Sequence, residues 1–316
     1  MAKQGGLGAN FYFGGYDLSN DVGSVGKISG SIATFDVTGI NVSGYERIGG
    51  RRDGGIDFVP FFNPSTGRAH PVLSALPLGD QVASYFHTPA IGSPAASMVG
   101  KQLNYDGTRS AAGDLTFAVA TVGDGFGLEW GDQLTPGIRT DTVATNGVAF
   151  NSAPSLTTPA VPASATPVTN TSGYPVQVVI TGGTMTNVSV NGATVGAGAG
   201  TYPVLPGQTI SMTYTVAPTW SWQYSTGFGA QAYLQVFGFT GTDATVKIQD
   251  SADNVTFADV AGMAFAQITA VTPQSQRIAA AGTLRQYVRA VTVTTGGFTS
   301  LAFAVQNTRN LTAVTF

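Results

Sequence analysis

Between Asp141 and Asp243 the chain runs for 101 residues without one Asp, Glu, Lys, Arg or His. Such a stretch excludes more than it permits. Acid–base chemistry needs titratable side chains, and binding to phosphate backbones needs Lys and Arg. What remains is Thr, Ser, Gly, Asn and Val in strand-like alternation, as in Pro175-Val176-Gln177-Val178-Val179-Ile180-Thr181. A surface kept wet by hydroxyls and amides alone carries no long-range repulsion, and it suits a part displayed on something larger. The first expectation is a structural role.

Charge divides the whole chain in the same way. Residues 1–152 hold 9 basic and 13 acidic residues, residues 153–223 hold none, and residues 224–316 hold 5 and 4, for formal charges of −4, 0 and +1. Charged residues are only 10% of the total, against roughly 25% in an ordinary soluble protein. With 42 glycines and few runs of helix formers, short strands and tight turns are expected, and 43% apolar residues suffice for real cores. The lack of Cys excludes disulfides, thiolate metal sites and a Cys nucleophile. Met1 to Gly6 lacks the apolar stretch of a secretory signal, and no run approaches 18 apolar residues, so no membrane span is expected.

Strand and turn signals fill in the segments. The first opens on a Gly-rich aromatic arm, Gly5 to Tyr16, expected to order only on assembly because fixing glycines is entropically expensive. Alternation through Ala33 to Ile40 and Gly55 to Phe62 reads as strand, and Arg68 to Leu76 as the one short helix, closed by Pro77 and Gly79. Further strands make residues 1–152 a β-sandwich or barrel. Prolines at 154, 159, 162 and 167 mark residues 153–167 as an extended linker. Residues 168–223, with an Asn191-Gly192 hairpin signal, read as a small antiparallel sandwich, and residues 224–316 as another. The fold class expected is mostly β.

Several stretches resemble a known family. Gly5-Gly6-Leu7-Gly8-Ala9-Asn10-Phe11-Tyr12 with Gly15-Tyr16-Asp17-Leu18-Ser19, then Glu46 to Gly54 and Asn63 to Leu76, are similar to major tail proteins of long-tailed bacteriophages of actinobacteria. The resemblance covers roughly residues 5–150. It implies a tail-tube β-sandwich with one flanking helix, forming stacked hexameric rings in the virion tail after assembly in the host bacterial cytoplasm. The partners it implies are further copies of the chain, tape measure and tail-end proteins, and DNA in transit through the lumen during ejection. Val176 to Trp222 resembles Ig-like surface modules, and Tyr233 to Val305 is similar to galactose-binding-like sandwiches, without sugar-binding residues that match one by one.

Chemistry finds little to stand on. The two histidines are His70, before Pro71 at the helix start, and His87, at the end of a strand; no G-x-S-x-G elbow occurs, so no catalytic residues are assigned. Asp53/Asp57 are read as a solvated turn. Asp250, Asp253 and Asn254 are an oxygen-rich turn and a weak Ca²⁺ candidate, though the Gly and distal Glu of a calcium loop are missing. No pattern calls for a cofactor. Arg47, Arg51 and Arg52, hemmed by Glu46, Asp53 and Asp57, are read as an intersubunit ion-pair network on a long loop spanning Arg47–Gly55, not as a phosphate patch. Phe11, Tyr12 and Tyr16 join Arg47, Arg51, Arg52 and Asp53 as assembly candidates. Trp220 and Trp222 share one side of a strand, where core closure competes with glycan contact. The reading is a non-enzymatic tail tube protein whose outer modules decorate the tube; the alternative is a carbohydrate-binding adhesin or tail-fibre protein recognising host surface glycans.

Overall fold

The computed structural model describes residues 5–153, 156–224, 227–270 and 274–311. The protein is mostly β, built of antiparallel sheets, with a single short helix among the described residues. Its first hairpin follows from local sequence. Asn10–Phe13 (β1) and Tyr16–Asp17 (β2) are joined by Gly14 and Gly15 at φ 59° and 85°, a two-residue turn that side chains rarely tolerate. Val22–Asp36 (β3) and Arg47–Pro60 (β4) then pair along their whole length. The helix Ala69–Leu73 (α1) is shorter than the expected Arg68–Leu76, ending before Leu76 turns to φ 44°. Its first N–H groups lack a local cap; instead Asp21 Oδ2 accepts from Ala69 N at 3.0 Å.

The remaining strands of this segment are Gln81–Phe86 (β5), Pro94–Gln102 (β6), Asp106–Arg109 (β7), Leu115–Ala118 (β8), Thr121–Gly123 (β9), Glu129–Gln133 (β10), Arg139–Asp141 (β11) and Phe150–Asn151 (β12). Residues 168–224 contribute Val168–Thr169 (β13), Val176–Thr181 (β14), Thr184–Val190 (β15), Ala193–Gly196 (β16), Gly200–Val204 (β17), Thr209–Val216 (β18) and Thr219–Tyr224 (β19). The last segment contributes Ala230–Gly241 (β20), Thr245–Ser251 (β21), Ala258–Ala264 (β22), Gln274–Ala280 (β23), Tyr287–Val293 (β24) and Phe298–Arg309 (β25).

One sheet runs β2-β1-β5-β6-β10-β25-β20-β23, with β9 beside β6 and β11 beside β25. The independent first and third segments expected from charge are therefore a single folded body, because β10 and β11 pair directly with β25. The sheet curls until β20 and β23 face β1 and β5, and side chains bridge the gap. Gln235 Oε1 accepts from Gly15 N at 2.7 Å, its amide donates to Val82 O at 2.8 Å, and Ser275 Oγ accepts from Val82 N. Inside this curl Tyr12 packs against Phe86 and Phe237. Phe11, Phe13, Phe58, Leu73 and Met98 form a core between the sheet, α1 and the base of the β3–β4 ribbon. A second sheet, β12-β24-β21-β22, closes another core around Leu234, Ile248, Val288 and Phe303, which takes Leu134 and Phe150 from the first segment.

Charge was a poor guide to these boundaries because a buried ion pair spans them. Arg277 on β23 donates to both carboxylate oxygens of Glu129 on β10, at 3.0 and 3.2 Å, while Tyr233 OH donates to the same carboxylate at 2.5 Å. Phe126 lies 3.7 Å from the Arg277 guanidinium.

Residues 156–224 fold as their own two sheets, β13-β18-β15-β16 and β17-β14-β19, about a core of Val176, Val178, Ile180, Ile210, Met212 and Trp222. The alternation in Val176–Thr181 puts every second side chain into that core. Residues 156–167 are not the free stalk that their prolines suggest. Trp220 Nε1 donates to Pro159 O, Tyr214 OH donates to Pro162 O, and Leu156 and Val161 pack on the module core.

Candidate functional site

The strand β4 is tight at one end and free at the other. At its base Ile56 and Phe58 are buried, and Gly54 has no room for a side chain: a Cβ there would lie 2.5 Å from Leu128 N. Beyond Arg52, which still meets Gly127, the last residues of β4 carry the ribbon roughly 16 Å before its loop, at ~3.3 Å per residue. The predicted loop Arg47–Gly55 is thus strand, paired in register as Asp36↔Arg47, Phe35↔Ile48 and Ile32↔Arg52.

Its tip is apolar and bare. Phe35, Val37, Ile40, Val42, Tyr45 and Ile48 are exposed, Tyr45 at 76% and Ile40 at 108%. Burying an aliphatic or aromatic side chain is worth about 1.5–3 kcal/mol over leaving it in water, so a cluster of six strongly favours a covered state. The loop is nevertheless built. Asp36 Oδ1 accepts from Thr38 N and Oγ1, Thr38 Oγ1 accepts from Glu46 N, and Val37 N donates to Glu46 O. The Thr38 hydroxyl and amide hold the Asp36 carboxyl below its usual range. Arg47 lies over the Tyr45 ring at 4.9 Å.

Of the predicted assembly residues, Arg47, Arg51, Arg52 and Asp53 all stand on this ribbon and are exposed. Among the described residues none is in an ion pair within the chain; Asp53 instead accepts from Gly54 N. Phe11 and Tyr12 belong elsewhere. Both are buried in strand β1, which pairs with β5, and Tyr16 packs partly buried beside them. The segment from Asn10 on is folded strand, not an arm awaiting a partner. Sequence reading took Ala33 to Ile40 for a strand but missed that Phe35 and Val37 on it, with Ile40, Val42, Tyr45 and Ile48 beyond, make one exposed apolar tip.

The other candidates are dispersed. Trp220 and Trp222 are 8% and 6% exposed, packed edge to face with centroids 5.6 Å apart, so core closure accounts for both. Asp250 pairs with Arg285, whose Nη2 lies at 2.6 Å. Asp253 accepts from Val255 N, Thr256 N and Ser251 Oγ, and backbone N–H groups hold its carboxyl well below the usual range. Asn254 takes φ 61° at the turn. Among the described residues no three His, Cys, Asp or Glu side chains gather to hold a metal. His70 lies 3.3 Å from Tyr105 OH, and His87 3.4 Å from Tyr85 OH.

No family model matches the chain, and no curated protein does. Among solved structures it is similar to the Dit protein of phage SPP1, described as a paradigm of the hub adsorption apparatus in phages infecting Gram-positive bacteria. Identity is 12%, over 96% of this chain and 99% of that one, with a TM-score of 0.28. A superposition that loose fixes neither fold nor role.

Proposed function

We propose that this chain is a structural, non-enzymatic protein of a phage tail, and that its copies assemble through the β3–β4 ribbon into the tail tube. The observation that carries the reading is the preorganised apolar tip held clear of the body. A monomer gains nothing from it, whereas a neighbouring copy that covers it recovers its burial free energy. The exposed Arg51, Arg52 and Asp53 at the ribbon's root supply charges to a neighbour without having first to break pairs within their own chain. Stacked hexameric rings with DNA passing through the lumen are the form that the resemblance in residues 5–150 implies. The −4 balance of residues 1–152 suits a wall to which phosphates do not adhere. The uncharged module of residues 156–224 then faces outward. Burial of Trp220 and Trp222 takes away the main support for glycan contact.

Negative-stain images of the purified full chain test this directly. Rings or tubes are expected from the native sequence, and their loss in a Phe35→Asp/Ile48→Asp variant that keeps its circular dichroism. A native chain that remains monomeric, or a variant that still forms tubes, overturns it.

A further inference from the structure

Where β4 meets the loop Gly123–Gly127, the two border a cleft of about 470 Å³. Its charged lining is Arg51 and Arg52 from β4, Arg277 from β23 and Glu129 from β10. Glu129 is fully engaged, since its carboxylate accepts from Arg277 Nε and Nη2 and from Tyr233 OH. Arg277 is not. Its side chain is 8% exposed, yet Nη1 donates to no described residue, and the uncovered remainder borders the cleft. Arg51 and Arg52 are exposed, and among the described residues neither side chain is in an ion pair.

The loop adds donors of a second kind. Gly125 stands at φ 76°, and the N–H groups of Gly125, Phe126 and Gly127 donate to no described backbone atom, although Gly127 is buried. Successive free N–H groups in a turn make a concavity that suits an anion. The glycines keep the backbone accessible: a Cβ on Gly127 would lie 3.1 Å from Arg52 Cβ, and one on Gly123 2.8 Å from Phe126 O. The carboxylates next in sequence lie outside the lining and have partners. Asp53 accepts from Gly54 N, and Asp124 lies 2.9 Å from Lys101 Nζ.

We infer that this cleft binds a phosphate group, free or as the end of a small phosphomonoester. Donors come from three separate elements, β4, β23 and the 123–127 loop. A carboxylate offers two oxygens in one plane, which one guanidinium fork already satisfies. A phosphomonoester offers three oxygens and roughly 1.5–2 negative charges at pH 7, against a lining of three Arg and one Glu. Arg277 is preorganised for it by Glu129, by Tyr233 and by the Phe126 ring, 3.7 Å from its guanidinium, so binding has only Arg51 and Arg52 to order. The cleft is formed within one chain, independently of assembly.

Isothermal titration of the full chain with inorganic phosphate, adenosine 5′-monophosphate and adenosine tests this. Saturable one-to-one binding of phosphate is expected. Arg51→Ser/Arg52→Ser should weaken it about tenfold or more, because charge-assisted hydrogen bonds are lost. Arg109→Ser, which removes an exposed cation elsewhere, should leave it unchanged. These are surface changes; Arg277 is left alone because its loss destabilises the body. Tighter binding of the nucleotide than of phosphate assigns the monoester, and equal or weaker binding assigns the free ion; adenosine is expected not to bind. Absence of saturable phosphate binding overturns the site. So does equal weakening by Arg109→Ser, which would mean diffuse charge attraction, or no change in the double variant. A thymidine oligonucleotide that binds where inorganic phosphate does not would give the arginines to a nucleic-acid backbone and overturn it too.

Discussion

The residue that most constrains this molecule is Arg277, with a side chain 8% exposed against Glu129 at 4%. Burial works against its charge, but the hydrogen bonds and the charge of Glu129 more than compensate, so its proton is held more tightly than usual. Burial and the Glu129 charge also push the Tyr233 hydroxyl above its ordinary range. Removing one partner leaves a charge buried and unpaired, which typically costs 3–5 kcal/mol. Arg277→Met is expected to lose about that much stability in denaturant titrations, and Arg277→Met/Glu129→Gln to recover a good part of it. A double-mutant cycle with no coupling would show the pair to be idle. Asp132 gives a second test at this scale. Burial raises its carboxyl to about 6, against the pull of Arg309. The folded chain therefore holds that proton more tightly than the unfolded chain does. This group favours folding most below about pH 4, and its contribution is lost as pH rises through about 6. Asp132→Asn should show a smaller change in urea midpoint between about pH 4.5 and about pH 7.5 than the native chain. An equal change in both would assign the pH dependence to other groups.

Among the elements, the β3–β4 ribbon separates stability from assembly. Its base is packed and its outer half touches little, so replacing residues 35–48 by Asn-Gly between the paired Thr34 and Gly49 should change unfolding free energy by no more than about 0.5 kcal/mol. The same change is expected to abolish assembly in sedimentation runs; a large loss of stability would mean that the tip supports the body. How far each element was legible in the sequence follows from the same physics. Val176–Thr181 announced itself because a strand with one buried face writes its burial into every second residue. On the ribbon's outer half only Ala33–Asp36 did; Arg47–Asp53 opposite it did not, since that stretch is largely exposed on both faces and has no buried side to write into its alternation. Asn10–Phe13 looked like a free arm beside its glycines. Its place in the core is decided by β5, some 70 residues later, and local propensity carries no trace of that pairing. The charged part of the candidate site, Arg47 to Asp53, was legible as a cluster. The apolar part was not, because exposed Ile and Phe in a sequence read as core.

At the scale of the whole molecule, chain order and folded units disagree, and two deletions should show it. The module of residues 156–224 is an insertion into one body, and both of its flanks are held by the same loop. Ser152 N donates to Gln286 O, Arg309 donates to Ser152 Oγ and to Leu284 O, and on the other side Gly229 N donates to Gly282 O. Asn310 Nδ2 fastens Phe228 O beside it. With its ends already tied to one place, replacing residues 153–226 by a short Gly/Ser linker adds only a modest loop-closure cost. That protein is expected to unfold in one cooperative transition with near-native stability, and residues 156–224 expressed alone to fold about their own core. Ending the chain at residue 152 is a different matter. It strips β20, β23 and β25 from the large sheet, leaves Glu129 buried without Arg277, and removes the Gln235 bridge to Gly15 and Val82. No compensating contact is available, and the truncated chain should lack near-ultraviolet dichroism and a cooperative transition. The charge-based division predicts the reverse, a first segment that folds and polymerises alone. A cooperatively folded 1–152 fragment would therefore restore that division and sever the first segment from the last.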